Sequence, residues 1–164
     1  MALSPEERIA SELVTRLETI TVTEDGSPVA ATVIRPNKDA TRWTPADNTI
    51  AVVQTDSVRE PALDCPGNPS SLAYAVGFAV VGFVRISDRA TSPEMTDVNA
   101  FSAKIREAIV ASSSDWYTFG DVAYHAEFGD SSPFPQTSDG HSGIIIELRV
   151  RFRVSEFDPT EVRA

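Results

Sequence analysis

The fold of this chain is decided by its last long apolar stretch, GIIIELRVRFRV, which spans residues 143–154. Apolar and other residues alternate along most of it, and this period of two is typical of a β-strand with two unlike faces. We therefore expect the strand to lie in a sheet with its apolar face against the core. That face carries six side chains: Ile144, Ile146, Leu148, Val150, Phe152 and Val154.

The opposite face of the same strand carries Arg149, Arg151 and Arg153 beside Glu147. Like charges on one sheet face repel unless carboxylates or other anions lie next to them. Either this is a solvated outer face with carboxylates of the same chain as partners, or it contacts an acidic surface of another subunit. We take the three arginines as candidate interface residues, and reversal of Arg151 should then impair assembly while the monomer stays folded.

Two amphipathic helices are predicted from their start signals. Ser4-Pro5-Glu6-Glu7 combines a capping serine with a first-turn proline, and a helix should follow to about Ile20. Ser92-Pro93-Glu94 repeats this start before a second helix that ends near Ala111. Each helix has one apolar stripe, Ile9, Leu13, Leu17 and Ile20 in the first and Met95, Val98, Ser102, Ile105 and Ile109 in the second, so each should pack one face on a sheet.

Four further strands are predicted at residues 29–35, 49–55, 72–86 and 122–128, from runs of β-branched and aromatic residues between turn signals. The strand at 72–86 has one bulky side and one small side, and we expect a helix, or else a neighbouring subunit, to approach the small side. The order helix, strand, strand, strand, helix, strand, strand predicts an α+β fold: a mainly antiparallel sheet with both helices on one face, forming a single domain over residues 1–154.

Three long polar loops separate these strands, and we expect partner contacts in the first two of them and in the tail. The loops span residues 36–48, 56–71 and 129–142, and the first contains Trp43, a costly residue to leave in water. Residues 155–164, with Phe157 and Asp158, lack periodicity and are predicted to form an extended C-terminal arm ordered by a neighbouring chain. Trp43, Phe157 and Asp158 complete the candidate interface residues.

Composition disfavours several classes of function. The formal charge of -10 opposes general nucleic-acid binding. Cys65 is the only cysteine, so an intramolecular disulfide or a cysteine-rich zinc site is excluded, and a reducing compartment is expected. The first residues do not resemble a signal peptide, and the apolar stretch at 72–84 is too short for a membrane helix. We expect a soluble protein without membrane contact.

No catalytic residue, cofactor or metal ligand is predicted. His125 and His141 are the only histidines, and HExxH, GxSxG, GxGxxG and phosphate-loop motifs are all missing from the sequence. A small hydrolase or metal-dependent enzyme that uses both histidines and loop carboxylates remains an alternative, and it requires both histidines in one cleft. A monomeric binding module whose long loops hold a ligand is a third possibility.

The chain resembles the tail terminator and tail-completion proteins of long-tailed bacteriophages. The resemblance rests on the helix at 8–20 (RIASELVTRLETI), the strand at 73–84, the helix at 98–109, and the ending LRVRFRV at 148–154 followed by Phe157-Asp158-Pro159. It implies a homo-oligomeric, hexameric ring on the tail tube that stops tube growth and joins the tail to the head connector. The implied partners are the tail tube protein and connector or neck proteins.

The same resemblance implies a location in the virion tail or neck after assembly in the host cytoplasm. Genomic DNA would then pass through the ring without specific binding, and an acidic lumen would repel its phosphates. Another neck or tail-ring subunit is the alternative within this class.

Overall fold

The structure is a computed structural model that describes residues 3–24, 27–36, 48–85, 94–111, 113–134 and 141–163. These residues form two helices, α1 (Pro5–Leu17) and α2 (Glu94–Val110). They also form seven strands: β1 (Thr21–Glu24), β2 (Ser27–Ala30), β3 (Thr32–Ile34), β4 (Thr49–Arg59), β5 (Ser71–Arg85), β6 (Ala123–Phe134) and β7 (His141–Ser155).

Five strands form the main sheet in the order β3-β4-β5-β7-β6, while β1 and β2 pair as a separate hairpin. All neighbours in the main sheet are antiparallel except β3 and β4. The α+β prediction is therefore confirmed, with one parallel pair in a mostly antiparallel sheet. The strand predicted at 29–35 is split at Ala31 into β2, which pairs with β1, and β3, which pairs with β4.

One hydrophobic core joins both helices to the sheet, and it includes the apolar face of β7. Ile146, Leu148, Val150 and Phe152 are all buried, and they belong to the same cluster as the helix residues Leu13, Leu17, Ile105 and Ile109. This confirms the face of β7 that the alternation assigned to the core. The start of α1 is also as predicted, since the backbone N–H of Glu7 donates to Oγ of Ser4.

Arg16 connects the two helices from a position outside the predicted apolar stripe. Its Nη1 donates to the carbonyls of Ile109 at 2.8 Å and Trp116 at 2.7 Å, and its Nε donates to Glu12. The guanidinium also lies 4.5 Å from the centre of the Phe119 ring. The side chain is only 11% exposed, so Arg16 is a structural residue that completes the C-terminal end of α2.

The helices pack on the bulky side of β5, so the expectation of a helix on its small side is wrong. The close approach occurs at Gly82 on the bulky side, where a Cβ would lie 2.7 Å from Ile105 and 2.9 Å from Phe101. The small residues Ala73, Ala75 and Gly77 instead pair with the three arginines of β7. Small side chains on that face leave room for the long arginine side chains.

β4 and β6 run further than the sequence predicts, because each contains a bulge. The register of β4 shifts between Gln54 and Ser57, and that of β6 between Phe128 and Ser131. A bulge admits an extra residue without ending the strand. The predicted hairpin of β6 and β7 is confirmed. The connections after β4 and after β6 are shorter than the loops predicted at 56–71 and 129–142, because each strand extends into the predicted loop.

The C-terminal segment turns back on its own domain, in contrast to the extended arm that we expected. Ser155 is still part of β7, and Val162 forms a bridge with Val154 and packs against the core. The backbone N–H of Arg163 donates to the carbonyl of Arg153 at 2.9 Å. One apolar residue and a tight turn are enough to return the chain to the sheet.

Candidate interface on the outer sheet face

The arginine face consists of Arg149, Arg151 and Arg153 on the side of the sheet opposite the helices. Their partners in the β5 ladder are Gly77, Ala75 and Ala73, respectively. Ala73 and Ala75 are fully buried, although neither α1 nor α2 packs on this side. The guanidinium groups and the segment after β4 cover this part of the sheet.

Arg151 is the most fully paired of the three arginines. Its Nε lies 2.9 Å from Oε2 of Glu60, just after β4, and its Nη1 lies 2.9 Å from Oε1 of Glu127 on β6. Burial raises the pKa of Glu127, but the charge of Arg151 and hydrogen bonds from His125 and Arg151 outweigh it, so this pKa lies below its ordinary value. Replacement of Arg151 by glutamate would place a third carboxylate beside Glu60 and Glu127, so it should destabilise the folded monomer.

Arg153 is held by an aromatic ring and a carbonyl. Its guanidinium lies 4.1 Å from the centre of the Tyr124 ring, and its Nε donates to the carbonyl of Leu63 at 3.3 Å. The hydroxyl of Tyr124 is buried and has no hydrogen-bond partner among the described residues. Burial raises the pKa of Tyr124, and the positive charge of Arg153 opposes this rise.

Arg149 is the least neutralised of the three. The nearest carboxylate oxygen, Oδ2 of Asp56, is 3.8 Å from its Nη2, which is too far for a normal hydrogen bond. Its Nε is buried without a hydrogen-bond acceptor in the part of the chain that the structure describes. The side chain is 39% exposed, so water screens much of its charge.

The connection between β4 and β5, residues 60–70, is held against the arginine face by hydrogen bonds and ion pairs. Nη2 of Arg59 lies 2.7 Å from Oδ2 of Asp64, whose Oδ1 accepts from the backbone N–H of Ala73. That backbone hydrogen bond is the main reason why the pKa of Asp64 lies below its ordinary value. Together with the bonds to Glu60 and Leu63, these contacts give the arginines partners within their own chain.

A groove of about 450 Å³ lies beside Arg149 on the same face. Three carboxylates, Asp56, Glu127 and Glu147, line it together with this single arginine. At Gly77 a Cβ would collide with the side-chain oxygens of Asp56 and Thr55, so a larger residue there would displace these two side chains. The groove is therefore acidic on balance.

The two histidines lie at opposite ends of the outer face. His125 on β6 pairs with Arg151 of β7. His141 lies on β7 itself, ten residues before Arg151. At the rise of a β-strand this separation is about 33 Å, too far for both side chains to act on one substrate. This observation counts against the enzyme that uses both histidines. Among residues 3–24, 27–36, 48–85, 94–111, 113–134 and 141–163, no group of three or more His, Cys, Asp or Glu could hold a metal ion.

The structure describes five of the six interface residues predicted from the sequence. Arg149, Arg151 and Arg153 lie on β7, Phe157 and Asp158 lie on the turn that follows it, and Phe157 is 75% exposed. Trp43 lies outside the described residues. Sequence reasoning missed Glu60 and Tyr124, because their roles depend on pairing between distant strands; the predicted β6–β7 hairpin was the signal that could have placed Glu127 beside Arg151.

None of the helices in the described ranges is long and apolar enough to cross a membrane. A comparison with models of known protein families finds no match, and no curated protein is significantly similar in sequence.

Proposed function

We propose that this chain is a structural subunit of a bacteriophage tail, which assembles into a ring at the end of the tail tube, stops its growth and joins the tail to the head connector. The observation that carries the proposal is the order of elements. Apart from the small β1–β2 hairpin, the main sheet and helices follow the order α-β-β-β-α-β-β. The resemblance to tail terminator proteins rests on this same order.

The edges of the sheet support association between copies. β6 forms one edge, and on the other edge β3 pairs only with Thr49, Ile50 and Ala51 of β4. The remainder of β4, up to Arg59, has no strand beside it on that side within the described residues. Two unlike edges favour contacts that pair different surfaces of neighbouring copies, and such contacts close into a ring when the rotation allows it.

The charged side chains of the outer face also support a structural role. Arg151 joins β6 to the segment after β4, and Arg59 pins that segment through Asp64. These groups hold strands and loops together, and they do not converge on a cleft with an acid, a base and a nucleophile. The net charge of -10 is compatible with a ring through which DNA slides without sticking.

The proposal is tested by the mass of the purified protein in solution, alone and after mixing with tail tubes that lack it. We expect a closed assembly of about six chains, seen as rings in negative stain, or ring formation on the tube ends. A protein that stays monomeric and leaves the tubes unbound would contradict the proposal and would favour a monomeric binding module. A ring that binds elsewhere on the particle would indicate another neck or tail-ring subunit.

A further inference from the structure

Phe157 is the most exposed large hydrophobic side chain in the described part of the protein. Its side chain is 75% exposed, compared with 57% for Leu3 and 43% or less for the others. A single exposed apolar residue needs no special explanation. Phe157 differs because a series of hydrogen bonds holds the backbone around it in one conformation.

The turn at residues 156–161, here called the Phe157 turn, is built around Asp158. Its Oδ1 accepts from the backbone N–H of Thr160 at 2.9 Å and from the hydroxyl of Thr160 at 2.7 Å. The backbone N–H of Phe157 donates to Oγ of Ser155 at 3.4 Å, and that of Glu161 donates to the carbonyl of Asp158 at 3.1 Å. The pattern is typical of an aspartate that stabilises a turn.

The turn is also fixed to the sheet at both ends. The backbone N–H of Glu156 donates to the carbonyl of Ser70, and that of Ser155 donates to the carbonyl of Glu161. The backbone that carries Phe157 is therefore pre-organised. Burial of the side chain by a partner would cost this chain little conformational entropy. Large aromatic residues that are presented in this way are frequent anchors of protein interfaces.

Negative charge flanks the aromatic ring. Glu156 and Asp158 are its neighbours in sequence, and Glu156 has no ion-pair partner in the described residues. Hydrogen bonds from Thr160 keep the pKa of Asp158 below its ordinary value, so this carboxylate is charged at neutral pH. Glu161 is paired with Arg163 at 3.0 Å, which leaves two carboxylates unneutralised beside Phe157. A complementary surface is apolar at its centre and positively charged around it.

The groove beside Arg149 does not provide such a surface on a second copy of the chain. It places one arginine among three carboxylates, Asp56, Glu127 and Glu147, and would repel the Phe157 turn.

Two further grooves are no more suitable. One is lined by Arg35 and Asp56, and Arg35 is already paired with Glu7. The other places Lys104 beside Glu107. None of these three grooves thus has an excess of positive charge, and the chain as a whole carries -10. Charge complementarity points to a partner other than a second copy.

We propose that the Phe157 turn is an aromatic anchor that docks into an apolar pocket with a rim of lysine or arginine on a different protein of the particle. It is then distinct from the contact between copies that closes the ring. This inference rests on the proposed function, because it assigns the turn to the step in which the ring binds the tail tube or the head.

The test compares Phe157→Ser with wild type in two assays on the full chain. One measures the solution mass of the ring. The other measures co-sedimentation with two probes, purified tail tubes and DNA-filled heads, both lacking this protein. Leu3→Ser is the matched control, since it also removes an exposed apolar side chain.

We expect Phe157→Ser to keep the mass of the ring and to weaken binding to one of the two probes at least tenfold, while Leu3→Ser binds like wild type. Glu156→Lys should weaken the same binding, more at low salt than at high salt.

Unchanged binding of Phe157→Ser to both probes would overturn the inference and leave the proposed function intact. Loss of the ring in Phe157→Ser would also overturn it, because the turn would then be a contact between copies. If wild-type protein bound neither probe, the proposed function would fail, and the inference with it.

Discussion

Arg151 should stabilise the folded monomer more than Arg149 does, although both lie on the same strand face. Arg151 makes two ion pairs at 2.9 Å with its side chain 22% exposed, whereas Arg149 has one carboxylate at 3.8 Å and is 39% exposed. Arg151→Met keeps most of the aliphatic stem but leaves Glu60 and Glu127 unpaired. We expect this substitution to lower the free energy of unfolding by about 1–2.5 kcal/mol, between the values for hydrogen-bonded and for exposed charge pairs.

Urea unfolding at neutral pH measures the free energy of unfolding of both variants. Arg149→Met is the control, and its expected loss of stability is about 0–0.5 kcal/mol. The pKa of Glu127 is lowered in the folded state. Its contribution to the free energy of unfolding is therefore fully present above the ordinary pKa of 4.5 and is lost as the pH falls through the lower pKa of the folded state. The difference between wild type and Arg151→Met should therefore shrink below about pH 4.5. Equal losses for the two arginines, or a difference that grows in acid, would refute the reasoning.

Three further predictions concern the core, the helix junction and the C-terminal segment. Phe152→Ala should cost about 3–5 kcal/mol in urea unfolding, because the ring is 1% exposed and stacks on Tyr74, and a loss below about 1 kcal/mol would contradict its burial. Arg16→Ala should cost about 2–4 kcal/mol, since two carbonyls lose their donor, and a melting temperature equal to that of wild type would disprove this. Deletion of residues 156–164 should lower stability by about 1–3 kcal/mol through loss of Val162, and unchanged stability with lost assembly would support the extended arm instead.

The parts of the fold that were predictable are those that local sequence determines. Alternation in β7 separates Ile146 and Val150 from the arginines, and Ser4 with Pro5 determines the start of α1. The bulges in β4 and β6 were not predictable, since Asp56 and Gly129 look like turn residues until a neighbouring strand continues the ladder beyond them. A one-residue insertion leaves no local signal of its own.

The candidate site was less predictable than the fold for a related reason. The sequence indicates that three adjacent arginines need carboxylates, but Glu60 and Glu127 come from segments 91 and 24 residues away from Arg151. Whether such partners come from the same chain or from another depends on strand order. The small side of β5 was misassigned because small residues make room equally for a helix or for arginine side chains, and only the tertiary structure distinguishes the two.

The most direct test of the central claim is to locate this chain on the virus particle. Purified particles labelled with a gold-conjugated antibody against the chain, imaged by electron microscopy, measure its position. We predict label at the head-proximal end of the tail, and a ring of density there that accommodates six copies. Particles that lack the chain, or label spread along the tail or over the capsid, would contradict the account.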